Sequence, residues 1–216
     1  MSYIIINFRP FDTYLSSSEY IKKTKFNLDI HKSHGLGSGI YGLIPTQSNY
    51  ITQATQRKYE IKTKLTLNNP YEINTNKQLS RFIELSIWLI LQCEEIINKN
   101  LIINNIKNKV RNIKIPDIIK EITIELFNNM IDINLLLNSI FHFVKDYQQA
   151  KIGDFIKQPI NYLLEPYYDG IYNHCSYGNL FSVGSIKFRD INIRHQKGNF
   201  DKEGFFLSNQ NKLINI

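Results

Sequence analysis

The first third of the chain reads as short runs with strand periodicity. "YIIINF" is an apolar run of strand length close to the N-terminus, and it predicts a strand buried on both faces. In "YEIKTKLTL", Tyr59, Ile61, Leu65 and Leu67 alternate with Lys62, Lys64 and Thr66, the period of a half-buried strand. "NNP" follows and closes that run, because Pro70 cannot continue a central ladder.

From about residue 77 the spacing changes to three and four. "LSRFIELSIWLILQCEEII", "PDIIKEITIELFNNMI" and "DINLLLNSIFHFVKDY" predict three amphipathic helices. Pro116 followed by Asp117 fits the first turn of the second. A shorter run, "DFIKQPINYLLEP", predicts a fourth helix in which Pro159 marks an interruption or the true start. These apolar faces need a partner, so the block packs on a sheet or on itself. Residues 167–216 return to strand and turn patterns, "YYDGIYN", "NLFSVGSIKF", "INIRH" and "GFFLS", with Asp169-Gly170 as a turn signal. The order β, α, β predicts an α+β fold, with helices inserted at about 77–150 into a mainly antiparallel sheet.

Composition narrows this picture. A chain of 216 residues fits one well-cored domain spanning 1–216 with a helical insertion. Hydrophobic residues make up 43% and charged residues 21%, which excludes a disordered chain. Cys93 and Cys175 are the two cysteines, too few for a disulfide framework, and Cys93 sits in an apolar helical pattern that predicts a buried thiol. His174-Cys175 is an adjacent pair of soft ligands without a second pair at metal-site spacing, so no metal site is expected. The N-terminus lacks a basic region and cleavage site, and "LSIWLILQC" falls well short of the ~18 residues that span a bilayer. These features predict an intracellular, cytoplasmic or nuclear protein without a membrane segment. The net charge of +7 and a pI near 9.2 favour polyanionic company. The lysines are scattered, as in "IKKTK" and "KNKVRNIK", so nucleic acid is a weakly supported partner.

The chemistry concentrates in "HKSHGLGSGIYGL", residues 31–43. It is not the GxGxxG dinucleotide fingerprint, since a strand rather than a helix follows, nor a P-loop, since no Gly-Lys-Ser/Thr ends it. Its plain reading is a glycine-rich loop leading into a strand. His31 and His34 flank the loop; they are either solvated or placed to meet a phosphate or ribose hydroxyl. His142 reads as a packed helical histidine. No G-x-S-x-G or Cys-Gly-x-Cys phrase marks a nucleophile.

"LGSGIYGL" followed by "TQSNY" resembles the phrase around the nicotinamide-stacking tyrosine of poly(ADP-ribose) polymerases and related ADP-ribosyltransferases. "KLTLNNPYEI" is similar to the family's strand ending in Asn-Pro. "INYLLEPYYDGIYN" and then "GSIKF" resemble its C-terminal helix, "GYDGI" turn and last strands. The resemblance covers about residues 1–76 and 152–190. It implies a split, mainly antiparallel sheet that holds NAD in a cleft, and transfer of ADP-ribose to a protein or nucleic-acid acceptor. Tyr41 matches the stacking position and Gly37 and Gly39 its glycines, with Tyr50 and His34 as further cofactor contacts. Tyr172 would line the same cleft. Two departures stand out. Arg9, which would hold a ribose or phosphate, precedes Pro10, which has no N–H. Residues 177–179 are "YGN" where the family's glutamate stands, leaving Glu165 and Glu203 as the nearest carboxylates, with Glu165 the candidate. The alternative is a catalytically inactive relative, a protein- or nucleic-acid-binding module whose helical block meets a partner protein; a second is an unrelated nucleic-acid-associated protein that uses the +7 charge.

Overall fold

A computed structural model describes residues 3–11, 36–39, 41–42, 59–151, 156–175, 183–184, 206–207 and 212–213. Both strand patterns of the first third form strands. β1 (Tyr3–Phe11) pairs antiparallel with β3 (Tyr59–Leu67), from Tyr3 opposite Leu67 to Phe11 opposite Tyr59. β2 (Tyr41–Gly42) lies beside β1 and pairs antiparallel with β6 (Val183–Gly184). β7 (Phe206–Leu207) and β8 (Lys212–Leu213) form another antiparallel pair.

"NNP" does end β3, yet Pro70 opens a new strand. β4 (Pro70–Ile73) pairs with β5 (Gly170–Asn173), and proline is tolerated as the first residue of a strand. This pair is parallel, which corrects the expectation of a mainly antiparallel split sheet among the described residues. Parallel neighbours need a long crossover. The helical block supplies it, so the helices are the connection between β4 and β5 rather than an ornament on a hairpin.

Five helices make up that connection: α1 (Asn76–Asn98), α2 (Ile103–Arg111), α3 (Asp117–Phe127), α4 (Ile133–Gln149) and α5 (Pro159–Leu164). α1 starts in a capping box: the Thr75 hydroxyl accepts from the Gln78 N–H, and the Gln78 side chain accepts from the Thr75 N–H, satisfying donors the first turn leaves open. α3 begins directly after Pro116 and ends at Asn128 in the left-handed conformation, φ 48°. Asp132 caps α4 through the Asn134 N–H. Pro159 is the true start of α5. α2 was not expected; its asparagines are poor helix formers, and only Ile106 and Val110 tie it to the core.

One apolar core joins the block to the strands. Phe82, Leu85 and Leu89 of α1, Ile122 and Phe127 of α3, Leu136 and Ile140 of α4 and Leu163 and Leu164 of α5 pack with Ile73 and Ile171 of the parallel pair. Tyr71 anchors the contact, its ring 5.7 Å from Phe82, 5.1 Å from Phe127 and 5.3 Å from Tyr168. Its hydroxyl donates to the Leu126 carbonyl at 3.0 Å, and burial raises its pKa well above the ordinary phenol value. Cys93 is fully buried as expected, and burial likewise raises its thiol. Among the described residues no helix is long and apolar enough to cross a membrane.

Candidate functional site

α5 organises the site. Pro159, Ile160, Asn161, Leu163 and Leu164 are all buried, so this short helix is enclosed on nearly every side. An asparagine inside such a helix must find partners, because a buried unpaired amide costs about 1–3 kcal/mol. Asn161 finds them in the glycine segment. Its Oδ1 accepts from the Ser38 N–H at 2.8 Å, and its Nδ2 donates to the Ser38 carbonyl at 2.7 Å. The Ser38 hydroxyl accepts from the Gln158 N–H at 3.0 Å. Residues 36–39 are thereby buried against a helix far away in sequence.

Gly37 explains itself here. Its φ is +104°, and a Cβ would stand 2.9 Å from Ile160 Cγ2 and 3.0 Å from Asn161 Oδ1. Only glycine tolerates both the backbone conformation and the contact. The close approach of the glycine segment is therefore to α5. Both polar backbone groups of Ser38 are likewise spent on Asn161. The Gln158 Oε1 atom is buried with no hydrogen-bond partner among the described residues.

Beyond Gly39, which is also buried, the chain enters β2, where Tyr41 stands opposite Gly184 and Gly42 opposite Val183. β6 lies against β5, so among the described residues β6 stands between the strand of Tyr41 and the strand that opens at Gly170. Arg9 stands in β1 opposite Ile61, and Pro10 opposite Glu60. His34 and Tyr50 lie outside the described residues, as do His31 and Glu203.

Glu165 sits where α5 ends and is ion-paired with Lys157, both side chains largely buried at 23% and 18% exposure. The Lys157 ammonium also lies 5.4 Å from the centre of the Tyr162 ring, an additional attraction for the cation. Tyr162 donates to Asp146 Oδ2 at 2.7 Å and stacks on His142. His142 is exposed and leans on that ring, rather than being packed within its helix as expected.

The Asp169-Gly170 bend is a clasp as well as a turn. The Asp169 carboxylate accepts from the Asn68 N–H at 2.7 Å and the Asn69 N–H at 3.0 Å, while its own N–H donates to the Asn69 carbonyl. On the strand beyond, Tyr172 stands opposite Glu72. Burial, and then the Glu72 charge, raises its phenol. His174 contacts Glu72 at 2.9 Å and meets the Tyr172 ring edge-on at 4.9 Å. His174 is exposed and Cys175 buried, so the two adjacent side chains face different surroundings. Among the described residues no three histidine, cysteine or acidic side chains gather as metal ligands.

Asn161 and Gln158 escaped the sequence reading. The available signal was an asparagine set between apolar neighbours in "PINYLLEP", a polar residue where a buried helix calls for an apolar one. Comparison with protein-family models, with curated proteins and with solved structures gives no match.

Proposed function

We propose that this chain is an ADP-ribosyltransferase-like domain that binds NAD and transfers ADP-ribose to a protein or nucleic-acid acceptor. The observation that carries this reading is the Ser38–Asn161 clamp. It brings the glycine segment that leads to Tyr41 onto the helix that leads to the Asp169-Gly170 bend, two stretches whose motifs match the same family. The antiparallel pairs β1–β3 and β2–β6 are the parts a split sheet of that kind would share.

The fit to NAD is selective. Gly37 and the Ser38 backbone serve α5, which leaves Tyr41 as the ring for nicotinamide and Arg9 as the anchor for a phosphate. An offset aromatic stack contributes about 0.5–1.5 kcal/mol beyond area burial. Transfer breaks the bond between C1′ and the nicotinamide nitrogen, the electron pair leaving with nicotinamide, and the acceptor's nucleophile attacks C1′ as its proton departs. A carboxylate lowers the barrier by facing the oxocarbenium charge. Glu165 is the carboxylate carried forward, and it would have to exchange Lys157 for that charge.

The Glu165–Lys157 pair favours a second reading, in which the domain binds NAD without turning it over. Calorimetric titration with NAD, paired with a nicotinamide-release assay, separates the two. Saturable binding that Tyr41→Ala weakens about tenfold, equivalent to about 1.4 kcal/mol, supports the NAD site. Release of nicotinamide supports transfer, and binding without release supports the second reading. No binding at millimolar NAD rejects both.

A further inference from the structure

We propose that α2 and the segment that follows it form a docking face for the phosphate backbone of nucleic acid. Residues 96–116 contain no acidic residue and carry Lys99, Lys107, Lys109, Arg111 and Lys114. Scattered in the sequence, Lys107, Lys109 and Arg111 are gathered by the helix, with Lys114 just beyond it. Ile106 and Val110 turn inward to the core. Lys107 and Arg111, one helical turn apart, stand on the outer side with Asn104 and Asn108, all exposed, because residues four apart share a face.

Most other cations of the helical block are paired. Lys77, Arg81 and Lys120 each find a carboxylate, as does Lys99 at the edge of the patch, while Lys145 of α4 forms no ion pair among the described residues. Lys107, Lys109, Arg111 and Lys114 form no ion pair among the described residues, although the exposed Glu95 carboxyl feels Lys109 in addition to its hydrogen-bonded partner Lys99. Helix-dipole stabilisation accounts for Lys109 and Arg111 in the last turn, but not for Lys107 or for Lys114 beyond the helix.

A surface of unpaired cations fits a polyanion. Between a membrane and a nucleic acid the packing decides. A membrane-surface helix inserts its apolar face, whereas Ile106 and Val110 of α2 are spent on the core and the exposed apolar residues, Ile102 and Ile103, stand together at its start rather than along a face. Interleaved asparagine amides, by contrast, supply hydrogen bonds to phosphate and sugar. The inference stands independently of NAD binding.

The test is fluorescence anisotropy with a short labelled DNA duplex, a single-stranded RNA and, as a third probe, phosphatidylserine vesicles, across about 50 to 200 mM salt. Wild-type protein is expected to bind both oligonucleotides, with affinity falling by about 0.7–0.9 log unit per log unit of salt for each phosphate contacted. A K107Q/K109Q/R111Q/K114Q variant is expected to lose at least about tenfold in affinity at the lowest salt and most of that slope. K77Q/K120Q, which removes paired cations, is expected to change neither. An unchanged quadruple variant, absent binding by wild type, or binding to vesicles alone overturns the proposal. Circular dichroism of the variant guards against loss through unfolding, and R111Q alone, with a smaller loss in the same direction, serves if the quadruple variant does not fold.

Discussion

The helical block and the glycine segment are held in place by opposite means. In the block, order is local first. Each helix carries its own apolar stripe, most carry their own start signals at Thr75, Pro116, Asp132 and Pro159, and tertiary packing then joins faces that already exist. Residues 36–39 have no such local logic. Their conformation, with Gly37 at φ +104°, is set by hydrogen bonds to Gln158 and Asn161, more than a hundred residues onward. The lesson is that the part most suggestive of function in the sequence is the part whose shape is decided elsewhere.

The largest effect expected of any single change tests the block's side of this contrast. Phe82 is fully buried and stacks on Tyr71, so Phe82→Ala is expected to cost about 4 kcal/mol by denaturant unfolding. Strands β4 and β5 and all five helices should lose stability together. Unfolding of the helices at an unchanged midpoint would show that the core is divided.

Asn161→Ala comes next. It removes the Asn161 hydrogen bonds to the buried N–H and carbonyl of Ser38, and about 3 kcal/mol is expected from the two together. Hydrogen exchange sharpens the prediction: the Ser38 amide should lose protection in the variant well beyond the α1 amides. Equal loss everywhere would mean the clamp is only one more core contact.

That ordering also marks what the sequence disclosed. β3 was readable because Tyr59, Ile61, Leu65 and Leu67 alternate with polar residues, and α1, α3 and α4 because their apolar spacing was long and regular. α2 was hidden by its asparagines. The parallel pairing of β4 with β5 was hidden too, since Pro70 argued against a strand and nothing local reveals that a crossover of this length returns beside its origin. At the candidate site, Gly37 announced a backbone constraint correctly but not its object, which is Ile160 and Asn161. Glu165 stands close to a motif in the sequence, whereas its pairing with Lys157 depends on how α5 begins and ends.

The smallest effect concerns Tyr71. Tyr71→Phe removes the hydrogen bond to the Leu126 carbonyl and is expected to cost about 1 kcal/mol. It should also change the response to alkali. Because burial raises this phenol in the folded state, the native protein holds its proton more tightly than the unfolded chain does. That contribution is fully present below about pH 10, the ordinary tyrosine value, and is lost as pH rises beyond it. The variant should lose less stability than wild type between neutral and strongly alkaline pH. An identical alkaline profile would show that Tyr71 ionises freely and that this aromatic contact is open to water.

The central proposal is that a clamp on α5 sets the strand of Tyr41, paired with β6, as one wall of an NAD site. Nuclear magnetic resonance during titration of the intact protein with NAD addresses it directly, read at the backbone amides of Tyr41, Gly42, Val183 and Gly184. The account predicts saturable shifts at these four amides, with those of α1 unmoved. No shift at millimolar NAD, or shifts confined to the helical block, would contradict it.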